Sequence, residues 1–242
     1  MKLFVCADIE GCCGITDWSE TQPGSPQSEA FRKQMTEEVA AVCRGALEAG
    51  FDRVVVRDAH DSARNLLPEL LPEQTRIYRG WTGDPYGMLS GLDGSFAGVV
   101  FTGFHSPART GGSPLAHTMD TGLYEVRLNG RIASEFLLNA YAAARIGVPV
   151  LMLTGDYGIR KGASHAADGL HAGGERRRDA VAAPARGGLA HRAHGRDGSD
   201  ARVRSDGGGA ATAGLVYARG VLQGASARVP QFLLPRRVPA RR

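Results

Sequence analysis

The chain has 242 residues, of which 43% are hydrophobic and 22% charged, which suffices for one large domain or two small ones. No apolar run reaches the roughly 18 residues that a membrane-spanning helix needs, which argues against an integral membrane protein. Because the acid Asp8 follows so soon after the N-terminus, we expect no secretory signal and a cytoplasmic location.

Charge is distributed unevenly along the chain. Residues 157–242 carry 16 Lys and Arg against 6 Asp and Glu, whereas residues 1–156 carry 13 against 19. The formal net charge of +4 is therefore the average of an acidic part and a basic part. We treat the two parts separately.

The four cysteines, Cys6, Cys12, Cys13 and Cys43, do not have the spacing of a zinc ribbon. The neighbours Cys12 and Cys13 are poorly placed to pair with each other. We therefore expect reduced and partly buried thiols.

Apolar runs and helical periodicity alternate along the first 156 residues. Short apolar runs predict buried strands, and apolar residues at helical spacing, such as Phe31, Met35 and Val39, predict helices. The predicted order is strand 2–7, helix 28–49, strands 53–57, 75–78 and 96–101, a hairpin strand 123–128 turning at Asn129-Gly130, helix 133–146 and strand 148–153. Because the strands are apolar rather than alternating, the sequence predicts an α/β fold with a largely parallel sheet flanked by helices.

Acids and histidines follow four of the predicted strands, where each strand ends. They are Asp8 and Glu10, then Asp58 and His60, then His105, and last Asp156. The carboxyl ends of parallel strands meet at one edge of a sheet, so side chains that are far apart in sequence are expected to converge there.

Asp8 and Glu10 are two residues apart, so an extended backbone directs both side chains the same way. Two adjacent carboxylates repel each other unless a cation neutralises them or one takes a proton. With His60 and His105 added, the mixture of nitrogen and oxygen donors suits zinc or another divalent transition metal. Each pair alone fits an ordinary loop or turn, but their coincidence at one edge predicts a metal-dependent hydrolase site.

Further candidates lie less directly at this edge. His117 closes a glycine-rich loop, residues 111–117, that could flex over a site, although an exposed loop histidine explains it as well. Glu135 begins the second predicted helix and Asn139 follows one turn later on the same face, but acids favour the first turn of any helix. Asp58 either orients His60 from behind or caps the turn, and Asp156 is expected to have a similar supporting role.

Residues 157–242 form the second predicted region, in which Gly, Ala and Arg make up more than half of the sequence. One interpretation is a disordered basic tail. Our preferred hypothesis is a frameshifted C-terminus, because GC-rich codons read out of frame yield this composition. The segment lacks interleaved aromatic residues and any nucleic-acid-binding motif, so it predicts non-specific attraction to phosphate at most.

Several segments of the first 156 residues occur in an order and spacing shared with a known family. They are Lys2-Leu3-Phe4 with Asp8-Ile9-Glu10-Gly11, then Arg57-Asp58-Ala59-His60-Asp61-Ser62, Gly103-Phe104-His105, Ala116-His117-Thr118-Met119 and Glu135-Phe136-Leu137-Leu138-Asn139-Ala140-Tyr141. In these segments the chain resembles the D-aminopeptidases of peptidase family M55, which are zinc enzymes. Cys12-Cys13 and the stretch after Tyr157 depart from the family pattern.

The resemblance implies two zinc ions per subunit, held by Asp8, Glu10, His60, His105 and Glu135, and a catalytic role for His117. It also implies release of N-terminal D-amino acids, typically D-alanine, from short peptides by metal-activated water, and assembly into a decamer of two stacked pentamers. D-selectivity rests on the resemblance alone. A related binuclear-metal amidase, an L-aminopeptidase and an inactive frameshifted product are the alternatives.

Overall fold

The computed structural model describes residues 1–163 and a two-residue strand further along the chain. Three short 3-10 helices lie at Trp18–Glu20, Pro68–Leu70 and Gly87–Leu89. The strands and helices are β1 (Lys2–Ala7), α1 (Ser28–Glu48), β2 (Arg53–Asp58), β3 (Thr75–Tyr78), β4 (Gly98–Phe104), β5 (Arg127–Leu128), β6 (Arg131–Ile132), α2 (Glu135–Ile146), β7 (Val150–Gly155) and β8 (Leu215–Val216).

The main sheet has the strand order β3-β2-β1-β4-β7-β8. All pairings among β3, β2, β1, β4 and β7 are parallel, and β8 pairs antiparallel with β7. The chain first adds strands on one side of β1 and then crosses to the other side to form β4. The ends of β1 and β4 therefore border the point where the winding reverses, which is where sheets of this kind form a crevice.

Each face of the sheet packs against one of the two long helices. Val5 belongs to a buried cluster that includes Met35 and Val39 of α1. Phe4 belongs to a second buried cluster, on the opposite face, that includes Phe136 of α2. Alternate residues of β1 thus serve different cores, which is why the strand is apolar throughout.

The second helix begins two residues later than the sequence predicted because Ser134 caps it. The Ser134 hydroxyl accepts a hydrogen bond from the Leu137 backbone N–H, and Glu135 is the first helical residue. The helix ends at Ile146, and Gly147 follows in a left-handed conformation with φ +88°.

Three strand predictions differ from the structure by two residues or more. The last strand, predicted at 148–153, is Val150–Gly155 and therefore ends directly before Asp156. The strand predicted at 96–101 is Gly98–Phe104, all of it buried, so it continues through Thr102 and Gly103 and delivers His105 directly. The prediction of a strand over 123–128 was wrong for residues 123–126, because the hairpin strand is only Arg127–Leu128 and Tyr124 is exposed. Asn129 and Gly130 do form the predicted turn, both with positive φ.

The segment that follows β1 passes very close to the end of β4. The Gly11 N–H donates to the Gly103 carbonyl at 2.9 Å, and a Cβ on Gly11 would lie 1.8 Å from the Phe104 carbonyl oxygen. Gly103 has φ +72°, and a Cβ there would lie 2.2 Å from the Asp8 carbonyl oxygen. Only glycine permits this approach of the two strand ends.

The remaining sequence predictions have mixed outcomes. All four cysteines are free, and Cys6, Cys12 and Cys43 are buried.

Residues 157–163 are helical, with Ile159 buried, whereas the predicted tail beyond them lies outside the described residues apart from β8. Among the described residues, no helix combines the length and apolarity that crossing a membrane requires. The domain boundary at residue 156 and the cytoplasmic location stay predictions.

We expect Gly103→Ala to destabilise the fold by about 2–4 kcal/mol, because the added methyl group meets backbone atoms and the residue has positive φ. Thermal unfolding followed by circular dichroism measures the effect. Gly111→Ala is the matched control, since a Cβ there meets nothing within 4 Å. Equal melting temperatures for the two variants would contradict the close approach described above.

Candidate metal centre

Six side chains that carry metal-binding or proton-transferring groups meet at the carboxyl edge of the sheet. Their backbone positions are the residues after β1, β2 and β4, the start of α2, and the loop before β5, and the residues are Asp8, Glu10, His60, His105, His117 and Glu135. All but His105 line a cavity of about 600 Å³, and the His105 side chain, which is fully buried, lies beneath them. The five metal ligands predicted from the sequence are thus brought together with His117.

The first group of donor atoms belongs to Asp8, Glu10 and His60. His60 Nδ1 lies 3.1 Å from Glu10 Oε2 and 3.5 Å from Asp8 Oδ1. The short contact lacks hydrogen-bonding geometry, since Glu10 Oε2 has no hydrogen-bond partner. One donor atom from each of the three residues thus lies within 4.8 Å of the others, close enough to share one metal ion.

The second group belongs to Asp8, His105 and Glu135. His105 Nε2 lies 3.6 Å from Asp8 Oδ2 and 3.4 Å from Glu135 Oε1. Asp8 takes part in both groups and uses a different carboxylate oxygen in each. This arrangement suits a carboxylate that bridges two cations.

Each of the three imidazoles has one ring nitrogen that forms a hydrogen bond with a backbone carbonyl. His60 Nε2 donates to the Thr21 carbonyl at 3.0 Å, His105 Nδ1 to Ser106 at 3.0 Å and His117 Nδ1 to Leu115 at 2.9 Å. The other nitrogen of each ring faces the carboxylates. Such bonds fix the tautomer and orient the free nitrogen, as they do for histidines that bind metal ions.

Buried atoms without partners show that the cluster fits a cation. Asp8 Oδ2, Glu10 Oε2 and His105 Nε2 are buried and have no hydrogen-bond partner. Unpaired buried polar atoms are costly, and a metal ion would satisfy all three. Ligands of a tetrahedral zinc ion lie about 3.3–3.6 Å apart, given zinc–ligand bonds of about 2.0–2.2 Å. The contacts of 3.1–3.6 Å in both groups match this spacing.

The electrostatics of the cluster favour positive charge. Burial opposes protonation of His60 and His105, but the carboxylates around them outweigh it and raise their pKa values to about 11 and about 10. Burial and then Glu10 raise the pKa of Asp8, whereas contacts with His60 lower the pKa of Glu10 in spite of its burial. The carboxylates thus hold positive charge among them, which metal ions supply more directly than protons.

His117 differs from the other two histidines in its exposure. Its side chain is 12% exposed, against 8% for His60 and none for His105. Its Nε2 lies 3.4 Å from Glu135 Oε1 and 3.7 Å from Glu10 Oε1, and its ring stacks on His105 with centroids 4.1 Å apart. Of the two imidazoles that line the cavity, His117 is therefore the more exposed.

Comparison with known proteins identifies the family. The sequence model of peptidase family M55, described as D-aminopeptidase, matches residues 1–172. The chain belongs to the D-aminopeptidase family M55. The match extends beyond residue 156, where the resemblance in the sequence ended.

A curated protein and a solved structure, both from Bacillus subtilis, are similar to this chain. A D-aminopeptidase of strain 168 is 36% identical over 156 residues, which cover 64% of this chain and 56% of that relative. The solved structure of the Zn-dependent D-aminopeptidase DppA, described as a self-compartmentalizing protease, is similar with a TM-score of 0.65 at 35% identity, over 68% of this chain and 60% of that chain. This chain therefore covers less than two thirds of the length of either matched protein.

Three supporting residues predicted from the sequence lie near the metal-binding side chains but are not among them. Both Asp58 oxygens accept hydrogen bonds from Asn65, and Oδ2 also accepts one from Leu66 N–H, so Asp58 caps the turn, and the His60 ring is oriented by Thr21 instead. Asn139 donates to Met88 Sδ and to the Glu135 carbonyl.

Asp156, which directly follows β7, supports the metal-binding side chains indirectly. Its two oxygens accept hydrogen bonds from the Ser106 N–H and hydroxyl, at 2.5 and 2.7 Å. The Ser106 carbonyl in turn accepts from His105 Nδ1. Asp156 therefore steadies the residue that orients His105.

Sequence reasoning missed contacts that arise only from folding. The Thr21 and Ser106 carbonyls orient His60 and His105, but a backbone carbonyl leaves no signal in the residue type. The Met119 N–H donates to Glu135 Oε1 at 2.8 Å, although Met119 has an unfavourable φ of +66°. Trp18 packs edge-on against His117, with centroids 5.3 Å apart.

Adding zinc to the metal-free protein is expected to raise its melting temperature, because a bound cation relieves repulsion among buried carboxylates. At a zinc concentration about 1,000 times the dissociation constant, the stabilisation is about 4 kcal/mol. Differential scanning fluorimetry in chelator and in zinc measures the shift. Asp8→Asn should lose most of it, because Asp8 serves both groups.

The control for this measurement is Asp52→Asn, an exposed acid just before β2, at the opposite edge of the sheet. Its zinc-induced shift should equal that of the unaltered chain. A shift that survives in Asp8→Asn would remove Asp8 from the ligand set.

Proposed function

We propose that this chain is a zinc-dependent aminopeptidase that releases N-terminal D-amino acids, D-alanine in particular, from short peptides. The observation that carries the proposal is the meeting of three buried carboxylates and three oriented imidazoles, of which all but His105 line one open cavity. Membership of the D-aminopeptidase family and likeness to a Zn-dependent D-aminopeptidase support it.

Two zinc ions per subunit are part of the proposal. Asp8, Glu10 and His60 would hold one ion, and Asp8, His105 and Glu135 the other, since the donor atoms of each group lie within 4.8 Å of one another and Asp8 is shared by both. Bound zinc supplies a water of lowered pKa, from about 15.7 towards 7, and polarises the peptide carbonyl.

His117 is assigned the proton transfer. Its Nδ1–H donates a hydrogen bond to the Leu115 carbonyl, so Nε2 is free to accept a proton from the attacking water and to donate it to the leaving amine. The stacked ring of His105 and the edge of Trp18 hold the imidazole in place while Nε2 faces the cavity. His117 also lies within a third possible ligand group with Glu10 and His105, so its role needs a direct test.

The cavity is of a size that suits short peptides. Its volume of about 600 Å³ falls within the roughly 300–1,000 Å³ typical of small-ligand sites. The indole side chains of Trp18 and Trp81 are part of its wall. A longer or folded chain would have to extend out of the cavity mouth.

Self-association belongs to the proposal as well. The DppA relative is described as a self-compartmentalizing protease, and a homo-oligomer of this chain, with the decamer as its expected form, follows by analogy. Size-exclusion chromatography with zinc analysis of the fractions identifies the state in which this chain binds metal.

The chain is expected to hydrolyse D-alanine p-nitroanilide faster than the L-isomer, with chelator abolishing turnover and zinc restoring it. The reason is that the metal-bound water is the proposed nucleophile, while the chiral preference is carried over from the family. Release of p-nitroaniline, followed by absorbance, measures both.

Each other outcome of this assay points to a named alternative. Preference for the L-isomer identifies an L-aminopeptidase, and cleavage of simple amides without either anilide identifies an amidase. A zinc-loaded chain that cleaves nothing identifies an inactive product. Full turnover in excess chelator, with no metal by elemental analysis, excludes the metal mechanism.

His117→Ala should lower kcat about 10²–10⁴-fold while leaving the zinc content unchanged, because general acid–base catalysis contributes that much and His117 is outside the two proposed ligand groups. Kinetics and elemental analysis are run on the same preparation. Near-normal turnover would remove His117 from the mechanism, and loss of zinc together with activity would make it a ligand.

A further inference from the structure

The charges around the cavity mouth bear on which peptides the proposed enzyme accepts. Asp8, Glu10 and Glu135 lie in the metal cluster, but two more acids line the cavity, Asp61 and Asp120. Both are exposed, so they lie where the cavity meets solvent. Bound metal ions would neutralise the inner acids and leave these two facing a substrate.

Asp61 is held at the mouth by its backbone. It directly follows His60, has φ +44°, and its carbonyl accepts a hydrogen bond from Trp81 Nε1 at 2.6 Å. Within residues 1–163, its carboxylate takes part in no hydrogen bond or ion pair. The backbone is fixed by these contacts, and the side-chain charge is left free.

Asp120 belongs to the loop that also carries Met119 and Thr121, which line the cavity too. Its Oδ1 accepts a hydrogen bond from the Gly122 N–H at 2.7 Å. No basic side chain of the described residues pairs with it. Asp120 thus presents a second uncompensated negative charge at the mouth.

No lysine or arginine lines the cavity within the described part of the chain. Arg57 stacks on Trp81, 4.6 Å from the centre of its ring, but it is only 1% exposed and lies behind the indole. A carboxylate that enters the cavity therefore meets no side-chain cation at the mouth. A cation meets two carboxylates and the faces of aromatic rings.

We propose that Asp61 and Asp120 select peptides that carry positive charge just beyond the bond to be cleaved, and disfavour those with a carboxylate there. The inference rests on the proposed aminopeptidase function, in which the scissile bond lies at the buried cluster. The part of the peptide beyond that bond must then pass the mouth. A basic side chain at that position is favoured, and an acidic side chain is disfavoured.

The test uses the full chain, loaded with zinc, and three peptides that differ at one position: D-Ala-Lys-amide, D-Ala-Gln-amide and D-Ala-Glu-amide. Gln and Glu have nearly the same shape, so their comparison isolates charge. The Glu side chain of the peptide would lie a few ångströms from the two carboxylates, and water would screen most of the repulsion. We therefore expect kcat/KM for the Gln peptide to exceed that for the Glu peptide about tenfold. The Lys peptide should exceed the Gln peptide.

The double variant Asp61→Asn and Asp120→Asn should bring the three kcat/KM values to within about twofold of one another. Asn tolerates the positive φ at position 61 and keeps an oxygen for the Gly122 N–H, so the change removes charge alone. Glu73→Gln, an exposed acid before β3, is the matched control and should preserve the order.

A second readout separates this inference from the function on which it rests. The chain has two tryptophans, Trp18 and Trp81, and both line the cavity, so intrinsic fluorescence reports occupancy without any cleavage. Tighter binding of the Lys peptide than of the Glu peptide supports the selection even if nothing is hydrolysed. Equal values for the Glu and Gln peptides, preference for Glu, or no binding of any peptide overturns it.

Discussion

Three carboxylates buried side by side set the strongest constraint on this structure. Asp8, Glu10 and Glu135 are each at most 5% exposed, and unneutralised charges at such burial repel one another and lack the solvation of water. The imidazoles of His60 and His105 supply nitrogen donors and, without metal, can hold compensating protons. The cluster is therefore stable only with positive charge at its centre, which is also the condition for hydrolytic chemistry.

The surrounding backbone is shaped by that cluster and carries conformational cost for it. Gly11 and Gly103 let the segment after β1 pack at contact distance against the end of β4, which brings Asp8 and His105 together. Asp61 and Met119, beside the cavity, both have positive φ. Strained residues concentrated around one cavity are typical of functional sites, where the fixed framework outweighs the local cost.

Charge is organised in two layers around the cavity. The inner carboxylates face histidine nitrogens and suit metal ions, whereas Asp61 and Asp120 face solvent without a basic partner among the described residues. The same type of side chain thus has different roles at different depths, because burial decides whether a carboxylate must be neutralised or can act on an incoming charge. His117 Nε2 lies 3.7 Å from Glu10 Oε1, and His117 is the residue to which we assign proton transfer in the proposed function.

The sequence by itself determined the α/β class, the strands that deliver Asp8, Glu10, His60 and His105, and the mixture of donors that suits zinc, because hydrophobic pattern and residue type are local properties. The family match and the parallel sheet confirm these predictions at the level of fold and family. Only the tertiary structure decided that Asp8 reaches two histidines and that Thr21 rather than Asp58 orients His60. It also decided that Asp61 and Asp120 line the mouth without a basic partner among the described residues. These features depend on which backbone groups meet in space, and that is set by the parallel pairing of strands far apart in sequence.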